Sequence, residues 1–446
     1  MSLETQTPRH PSESEIAAAA PHRRSLWRQR DFMKLWTGQS ISQFGDEITL
    51  LAIPLLAINT LGAGPLEMGI FGVVRFLPWI FFTLPAGVWV DRMRRRPILI
   101  GADLARAALL GSIPLAFVGD WLTLIQVYVV AFAAGTLEVF FDVAYQSYLP
   151  SLVERDELVE GNSKLELSRA GSSVVGPTVA GFLIEAIRAP FAIAFDALSY
   201  LGAALFIGLI RRTEPEPAKH DPADGTRPTM WQEARAGIGY VFANPYLRSI
   251  AACTGTANLF GNVSGAVLIL YIAREDGLNL SAGTIGLIFA LGNVGVLLGA
   301  LTGGRVANAI GVGPTIIASA VLAGAAAFAV PLAPREDPFW VLVIGGVFLG
   351  YGVVAYNVNQ VGLRQAITPD RMLGRMNATM RLIVWGTIPV GALIGGVLGS
   401  VLSNAFGTAE GLQIVLWLAA IGGSLAFLPV LFSPVRTLRE IPAQAE

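Results

Sequence analysis

The sequence predicts an all-α membrane protein: twelve transmembrane helices in two six-helix repeats, with both termini cytoplasmic. Three observations lead there. Hydrophobic residues make up 53% of the 446-residue chain and charged residues only 14%, against about 25% charged in a soluble globule. Long apolar stretches are joined by short charged hairpins. The clearest is Gly87-Val-Trp-Val-Asp91-Arg92-Met-Arg94-Arg95-Arg96, between an apolar segment ending at Val90 and another starting at Pro97. The third observation is an internal repeat. Phe44-Gly45-Asp46 recurs as Phe260-Gly261-Asn262, Gly87 and Asp91 as Gly304 and Asn308, Leu158 and Asn162 as Leu373 and Asn377, and Gly176 and Gly181 as Gly391 and Gly396, at offsets of 215 to 217 residues. Any one match is weak; four in order mark a duplication.

Hydropathy places the spans, each needing about 20 apolar residues. The first six lie near 34–60 (α1), 66–90 (α2), 97–118 (α3), 122–145 (α4), 165–188 (α5) and 190–210 (α6). The second six lie near 247–273 (α7), 280–303 (α8), 314–333 (α9), 338–360 (α10), 377–402 (α11) and 410–433 (α12). This divides the chain into a cytoplasmic arm (1–33), a first bundle (34–210), a cytoplasmic linker (211–246), a second bundle (247–433) and a tail (434–446). Residues 1–25 are polar and lack an apolar core before a cleavage site, so they read as an arm and not a signal peptide. Residues 211–230 are rich in Pro, Asp and Glu, as a linker is. Of 31 Lys and Arg, only Arg188, Arg274 and Arg335 fall in loops assigned outside. Arginine-rich loops stay on the cytoplasmic side, which sets the orientation. An even number of helices per repeat relates the halves by an axis along the membrane normal, with a path between them.

Other function classes find little support. The only lysines, Lys34, Lys164 and Lys219, are not followed by Ser or Thr, so no phosphate-binding loop is encoded. No nucleophile–base set or metal-ligand cluster stands out, which argues against an enzyme and calls for no cofactor and no metal. The net charge of −1 says nothing about nucleic acid, no basic stripe interleaves with aromatics, and the single Cys253 excludes an internal disulfide. The expected partners are a small-molecule substrate, protons and the lipid bilayer, with the monomer as the functional unit.

The 87–96 hairpin resembles the signature loop between helices 2 and 3 of the major facilitator superfamily, Gly-x-x-x-Asp-Arg-x-Gly-Arg-Arg, with Arg94 where the second glycine usually sits. Gly176-Pro177-Thr-Val-Ala-Gly181 resembles the helix-5 motif of exporters in that superfamily, with Ala180 replacing one glycine. Further stretches narrow the match: Arg30-Asp-Phe, Leu35-Trp36-x-Gly38-Gln39, Phe44-Gly45-Asp46, Asp103-Leu-Ala-Arg106, Leu149-Pro150-Ser-Leu-Val and Phe195-Asp196-Ala-Leu-Ser199. Together they are similar to the branch that includes the enterobactin exporter and macrolide-efflux proteins, over roughly residues 26–435. The resemblance implies the major facilitator fold and alternating access. It also implies a cytoplasmic latch in which Asp91 meets the start of α11 near Asn377, whose helix N-terminus favours an anion. Gly87, Arg92 and Arg95 belong to the same latch, the arginines joining acids such as Glu154 or Asp156. Asn308 replaces the aspartate in the second half, so the matching latch there is weaker.

The histidines His10, His22 and His220 lie outside the spans, so any proton carrier inside the membrane must be a carboxylate. Those acids are confined to the first half: Asp46, Glu47, Asp103, Glu138, Asp142, Glu185 and Asp196. The second half offers amides instead. Ionisable groups in a span are costly and mark function by default. The proton-coupling candidates are Asp46, Glu47, Arg75, Arg106 and Glu138. Asp46 and Arg75 both approach the midplane and are expected to pair or to share a cavity, the alternative being a purely structural ion pair. Asp103 and Arg106 stand three apart on one helical face and can pair. An Arg106–Glu138 link and a Glu185–Arg188 pair at the outer rim are further expectations. Gly176, Pro177 and Gly181 are packing or hinge positions of α5. Asn258, Phe260, Asn262, Asn293, Tyr356, Asn357, Asn359 and Trp385 are the substrate-cavity candidates.

The function expected is proton-coupled efflux of a bulky amphipathic small molecule, a drug such as a macrolide or a siderophore, across the inner (plasma) membrane of a bacterium. The alternatives are an importer or facilitator, and, from another class, a transport-inactive sensor or scaffold.

Overall fold

A computed structural model of the chain describes residues 25–212, 214 and 230–440. The three histidines, most of the arm and part of the linker lie outside the described residues. Among these residues the regular structure is helical, and twelve helices are long and apolar enough to cross a membrane. The first six are α1 Arg30–Asn59, α2 Pro65–Asp91, α3 Arg95–Val118, α4 Leu124–Leu152, α5 Leu158–Ile187 and α6 Ala189–Gly208. The second six are α7 Pro245–Ala273, α8 Ala282–Ile310, α9 Val312–Leu332, α10 Phe339–Ala366, α11 Asp370–Phe406 and α12 Thr408–Leu431. Helices α9 and α12 are interrupted near their last turns, at Ala327–Phe328 and Leu425–Phe427.

Local chemistry sets the helix ends. Asn244 Oδ1 accepts from the Tyr246 and Leu247 amides at 2.9 and 3.2 Å, with Pro245 following as first helical residue of α7. Ser281 Oγ accepts from the Thr284 amide to open α8. A side-chain acceptor satisfies donors that have no partner in the first turn, and proline lacks one there. Gly311 (φ +101°) and Gly407 (φ +92°) turn the chain out of α8 and α11, in a backbone region where a Cβ is strained.

Several helices outrun the expected spans. α4 continues to Leu152, α5 begins at Leu158, α10 continues to Ala366, and α11 runs 37 residues from Asp370. At 1.5 Å per residue α11 is about 55 Å long, well beyond a hydrocarbon core of about 30 Å. Hydropathy sees only the apolar stretch. The polar turns beyond it, all on the arginine-rich side, keep their backbone hydrogen bonds and remain helical.

The two halves pack alike. In the first, α1 lies on α5 and α6, α2 on α4, and α3 on α4 and α6. In the second, α7 lies on α11 and α12, α8 on α10, and α9 on α10. The halves meet along two seams, α2 with α11 and α5 with α8. A connecting helix, Met230–Ala243, packs on α11. The buried side chains form three clusters. One joins both halves at the end away from the arginine hairpin, from Ile48–Ala63 across to Val263–Leu278 and Leu412–Ala419. The other two lie at the arginine-rich end, one entirely in each half. The halves therefore share a core at one end only.

Candidate functional site

Small residues let the seams close at that shared end. A Cβ on Gly69 of α2 would lie 2.7 Å from the Gly396 Cα of α11, and Gly399 abuts Pro65. Across the other seam Gly181 of α5 lies against Ala282 and Gly283 of α8, and Gly286 against the Pro177 carbonyl. Glu185 accepts from the Gly283 amide and the Ser281 hydroxyl, each at 3.0 Å. It therefore bridges the seam, and the rim pair expected with Arg188 does not form, because α8 offers donors with matching geometry.

Towards the arginine-rich end the seams part. The α2–α11 seam reaches Phe76 and Trp79, each edge-on to Trp385 with ring centroids 6.0 Å apart. Beyond them the space beside Gly87 and Gly374 is open. The α5–α8 seam reaches Asn293, whose Nδ2 donates to the Ser173 carbonyl at 2.5 Å. That carbonyl stands four residues before Pro177, which has no N–H to give it. The helix-5 motif thus frees an acceptor in one half that an amide of the other half occupies. Beyond this contact, Gly171 and Gly304 again face open space. The halves share a core at one end and have separate cores at the arginine-rich end, and we read the gap between them there as a cavity.

Four acids of the first half, Asp46, Glu47, Glu138 and Asp142, keep exposed surface there, while Asp103 and Asp196 are buried. Asp46 and Glu138 lie deep within α1 and α4 yet carry exposed surface, with Glu47 and Asp142 partly exposed. Tyr200 of α6 donates a short hydrogen bond to Asp46 Oδ1. Arg106 pairs with Asp103 at 2.5 Å, donates to the Tyr200 hydroxyl at 3.4 Å, and lies over the rings of Phe141 and Tyr200 at 4.5 and 4.2 Å. Asp196 is buried and accepts from Thr49 and Ser199. Glu47 is pressed on α5, where a Cβ on Gly176 would lie 2.6 Å from Glu47 Cγ.

Three expected contacts are corrected. Asp46 and Arg75 form no ion pair: Tyr200 occupies the aspartate, while exposed Arg75 stays within electrostatic range of Asp46, Glu47 and Glu138. Arg106 pairs with Asp103 one turn away and not with Glu138, since the same-helix partner needs no reach across the wall. Arg92 and Arg95 form no ion pair with Glu154 or Asp156. The Arg95 and Arg96 amides donate to the two oxygens of Glu214 at 2.8 and 3.2 Å, and Arg96 caps the end of α6 through the Ile207 and Gly208 carbonyls. Asp91 and Arg92 are exposed. With the halves apart at this end, Arg95 and Arg96 find their partners at the end of α6 and the start of the linker.

The second-half candidates divide. Trp385 sits at the seam, and the Asn258 amide holds the Val384 carbonyl of α11 at 3.1 Å while Asn262 bonds back to Asn258. Asn357 is exposed and accepts from Gln360. Phe260 points instead onto Gly422 of α12. Tyr356 is buried on Thr254 at 2.7 Å, and Asn359 is buried on the Gly303 and Ala355 carbonyls. These three serve packing inside the second half, because helix rotation turns them from the cavity. Sequence reasoning missed Tyr200, Glu214 and Arg381. Arg381 lies over Trp385 at 5.1 Å, and the recurrence of Arg-x-x-x-Trp at 75–79 and 381–385 was a legible signal for it. Among the described residues, no group of three His, Cys, Asp or Glu side chains is placed to hold a metal.

Comparison with known proteins is consistent with this geometry. The family profile of the Major Facilitator Superfamily matches residues 35–275 and 250–446. Macrolide efflux protein A of Streptococcus pyogenes is 25% identical over 375 residues, 83% of this chain and 89% of that protein. The enterobactin exporter of Escherichia coli is 26% identical over 367 residues, 80% of this chain and 81% of that protein. Among solved structures, a bacterial homologue of the iron transporter ferroportin in an inward-facing state superposes with a TM-score of 0.70 at 17% identity, covering 90% of this chain and 98% of that one.

Proposed function

The chain belongs to the Major Facilitator Superfamily, a membrane transporter of twelve spans in the bacterial inner (plasma) membrane, and from that premise we propose that it exports a bulky amphipathic small molecule in exchange for protons. In this reading the arginine-rich end is cytoplasmic and the cavity faces the cytoplasm. The observation that carries it is the row of acids, Asp46, Glu47 and Glu138, on the wall of a cavity whose far end is sealed. Efflux is supported by the helix-5 motif and by the two relatives named for export, whose cargoes make a macrolide-like drug or a siderophore the substrate class.

The cycle follows from the seams. Substrate enters the open cavity; the halves rock about the Trp79–Trp385 contact; the Asn293–Ser173 bond and the glycine seams at the far end part and release it. Closing the cytoplasmic side brings Asp91 towards α11. Protons arriving from outside neutralise the wall acids, which lowers the cost of desolvating them as the cavity closes again. Tyr200 positions Asp46, and the Asp103–Arg106 pair holds Tyr200. The monomer contains the whole path.

The test uses inside-out vesicles carrying the protein, energised to an acid interior and followed with a pH-sensitive dye. Macrolides, other lipophilic drugs and siderophores are added in turn, with wild type and Asp46→Asn. Proton release that needs substrate and is lost in the variant is the expected result. Release that survives in Asp46→Asn moves the carrier to Glu47 or Glu138. No release with any compound, alongside downhill flux of radiolabelled substrate, refutes antiport.

A further inference from the structure

Past Arg375, Arg381 is the only charged residue of α11. Its guanidinium lies over the face of Trp385, and Trp385 in turn meets the edges of Phe76 and Trp79. α2 and α11 run in opposite directions, so Arg75 lies one turn from this aromatic layer on the sealed side and Arg381 one turn on the open side. The two arginines differ in what surrounds them. Arg75 faces the acids of the first half, Asp46, Glu47 and Glu138. Arg381 forms no ion pair with any described residue, and its side chain is exposed.

We propose that Arg381, held on Trp385, is an anion-recognition point, and that the exported molecule is an organic anion carrying an aromatic ring. This rests on reading the chain as an exporter, and it names the substrate class. A guanidinium presents paired donors that match a carboxylate or sulfonate. The indole face fixes the guanidinium plane through cation–π attraction. The corner of Trp385, Trp79 and Phe76 takes an aromatic ring in edge or offset contact. The acids belong to α1 and α4 of the first half and Arg381 to α11 of the second, so protons and the anion occupy different places. Coupling then passes through the rocking of the halves and not through direct displacement. Corner and arginine lie where the α2–α11 seam opens, so a molecule seated there loads the seam that must move.

The test is calorimetric titration of the full chain in a neutral maltoside detergent, with naphthalene-2-sulfonate as the anion and N-methylquinolinium as a cation of similar size. The sulfonate is expected to bind, and Arg381→Gln to weaken it by about tenfold or more. Arg381→Lys recovers part of the affinity and Trp385→Ala loses it. The cation responds to none of these variants. Unchanged thermal unfolding of the unliganded variants separates recognition from a structural role. Tighter binding of the cation, or sulfonate affinity that survives in Arg381→Gln, overturns the proposal. Proton antiport in vesicles with cationic substrates only would leave the exporter standing and remove the anion site. Sulfonate binding through Arg381 without any antiport would do the reverse.

Discussion

The hydrogen bond from Asn293 to the Ser173 carbonyl carries the most exposed prediction. Pro177 leaves that carbonyl without its helical donor, and Asn293 supplies one from the other half at 2.5 Å. Asn293→Val removes the donor and leaves the acceptor bare in the seam. An interhelical hydrogen bond within a membrane is worth about 0.6 kcal/mol on average and at most about 1.7, while an unsatisfied buried group costs about 1–3 kcal/mol. The sealed far end is thus expected to lose about 1–2 kcal/mol, shifting the ratio of open to sealed molecules about 5- to 30-fold. Pro177→Ala restores the N–H, so the Ser173 carbonyl is shared between two donors and its bond to Asn293 weakens. Each single variant favours the far-open state, and the double variant shifts less than their sum, as partners in contact do. The assay is double electron–electron resonance between spin labels at Thr60 and Glu275, both exposed at the far end, in a Cys253→Ala background. An unchanged distance distribution in Asn293→Val, or shifts that add in the double variant, would refute the reasoning.

Other variants test the remaining contacts. Asp103→Asn leaves Arg106, only 4% exposed, without its counter-charge and is expected to lower stability by about 3–5 kcal/mol; Asp103→Asn with Arg106→Met recovers part of it, read by thermal unfolding in detergent. Gly176→Leu drives a side chain into Glu47, so overpacking of about 1–3 kcal/mol is expected together with loss of transport, and normal antiport would argue against that contact. Glu214→Ala removes the acceptor of the Arg95 and Arg96 amides at a cost of about 1 kcal/mol; hydrogen exchange of those amides rises if the carboxylate protects them and stays level if it does not.

Residues differ in how far their place was legible. Asp46 and Glu138 stand out because a carboxylate in an apolar run is visible without neighbours. The Asp103–Arg106 pair was legible because spacing of three on one helix fixes proximity. The partner of Asp46 was not: Tyr200 lies 154 residues away, and hydropathy says nothing about which faces of α1 and α6 meet. Glu214 escaped notice because the polar linker gave no sign that its first residues fold back onto α3. Phe260, Tyr356 and Asn359 were misread because a polar or aromatic residue in a span serves packing as readily as a cavity, and helix rotation decides which.

The sequence by itself determined the number of spans, their doubling into repeats, the end that carries the arginines and the half that carries the acids. These follow from local hydropathy, charge and recurrence, each read along one dimension. Tertiary structure alone decided that Tyr200 meets Asp46, that the hairpin binds Glu214, and that the halves touch at one end and part at the other. Those choices depend on helix rotation and on the relative tilt of two bodies, which small contacts such as Trp79–Trp385 and Asn293–Ser173 bias and no single segment encodes.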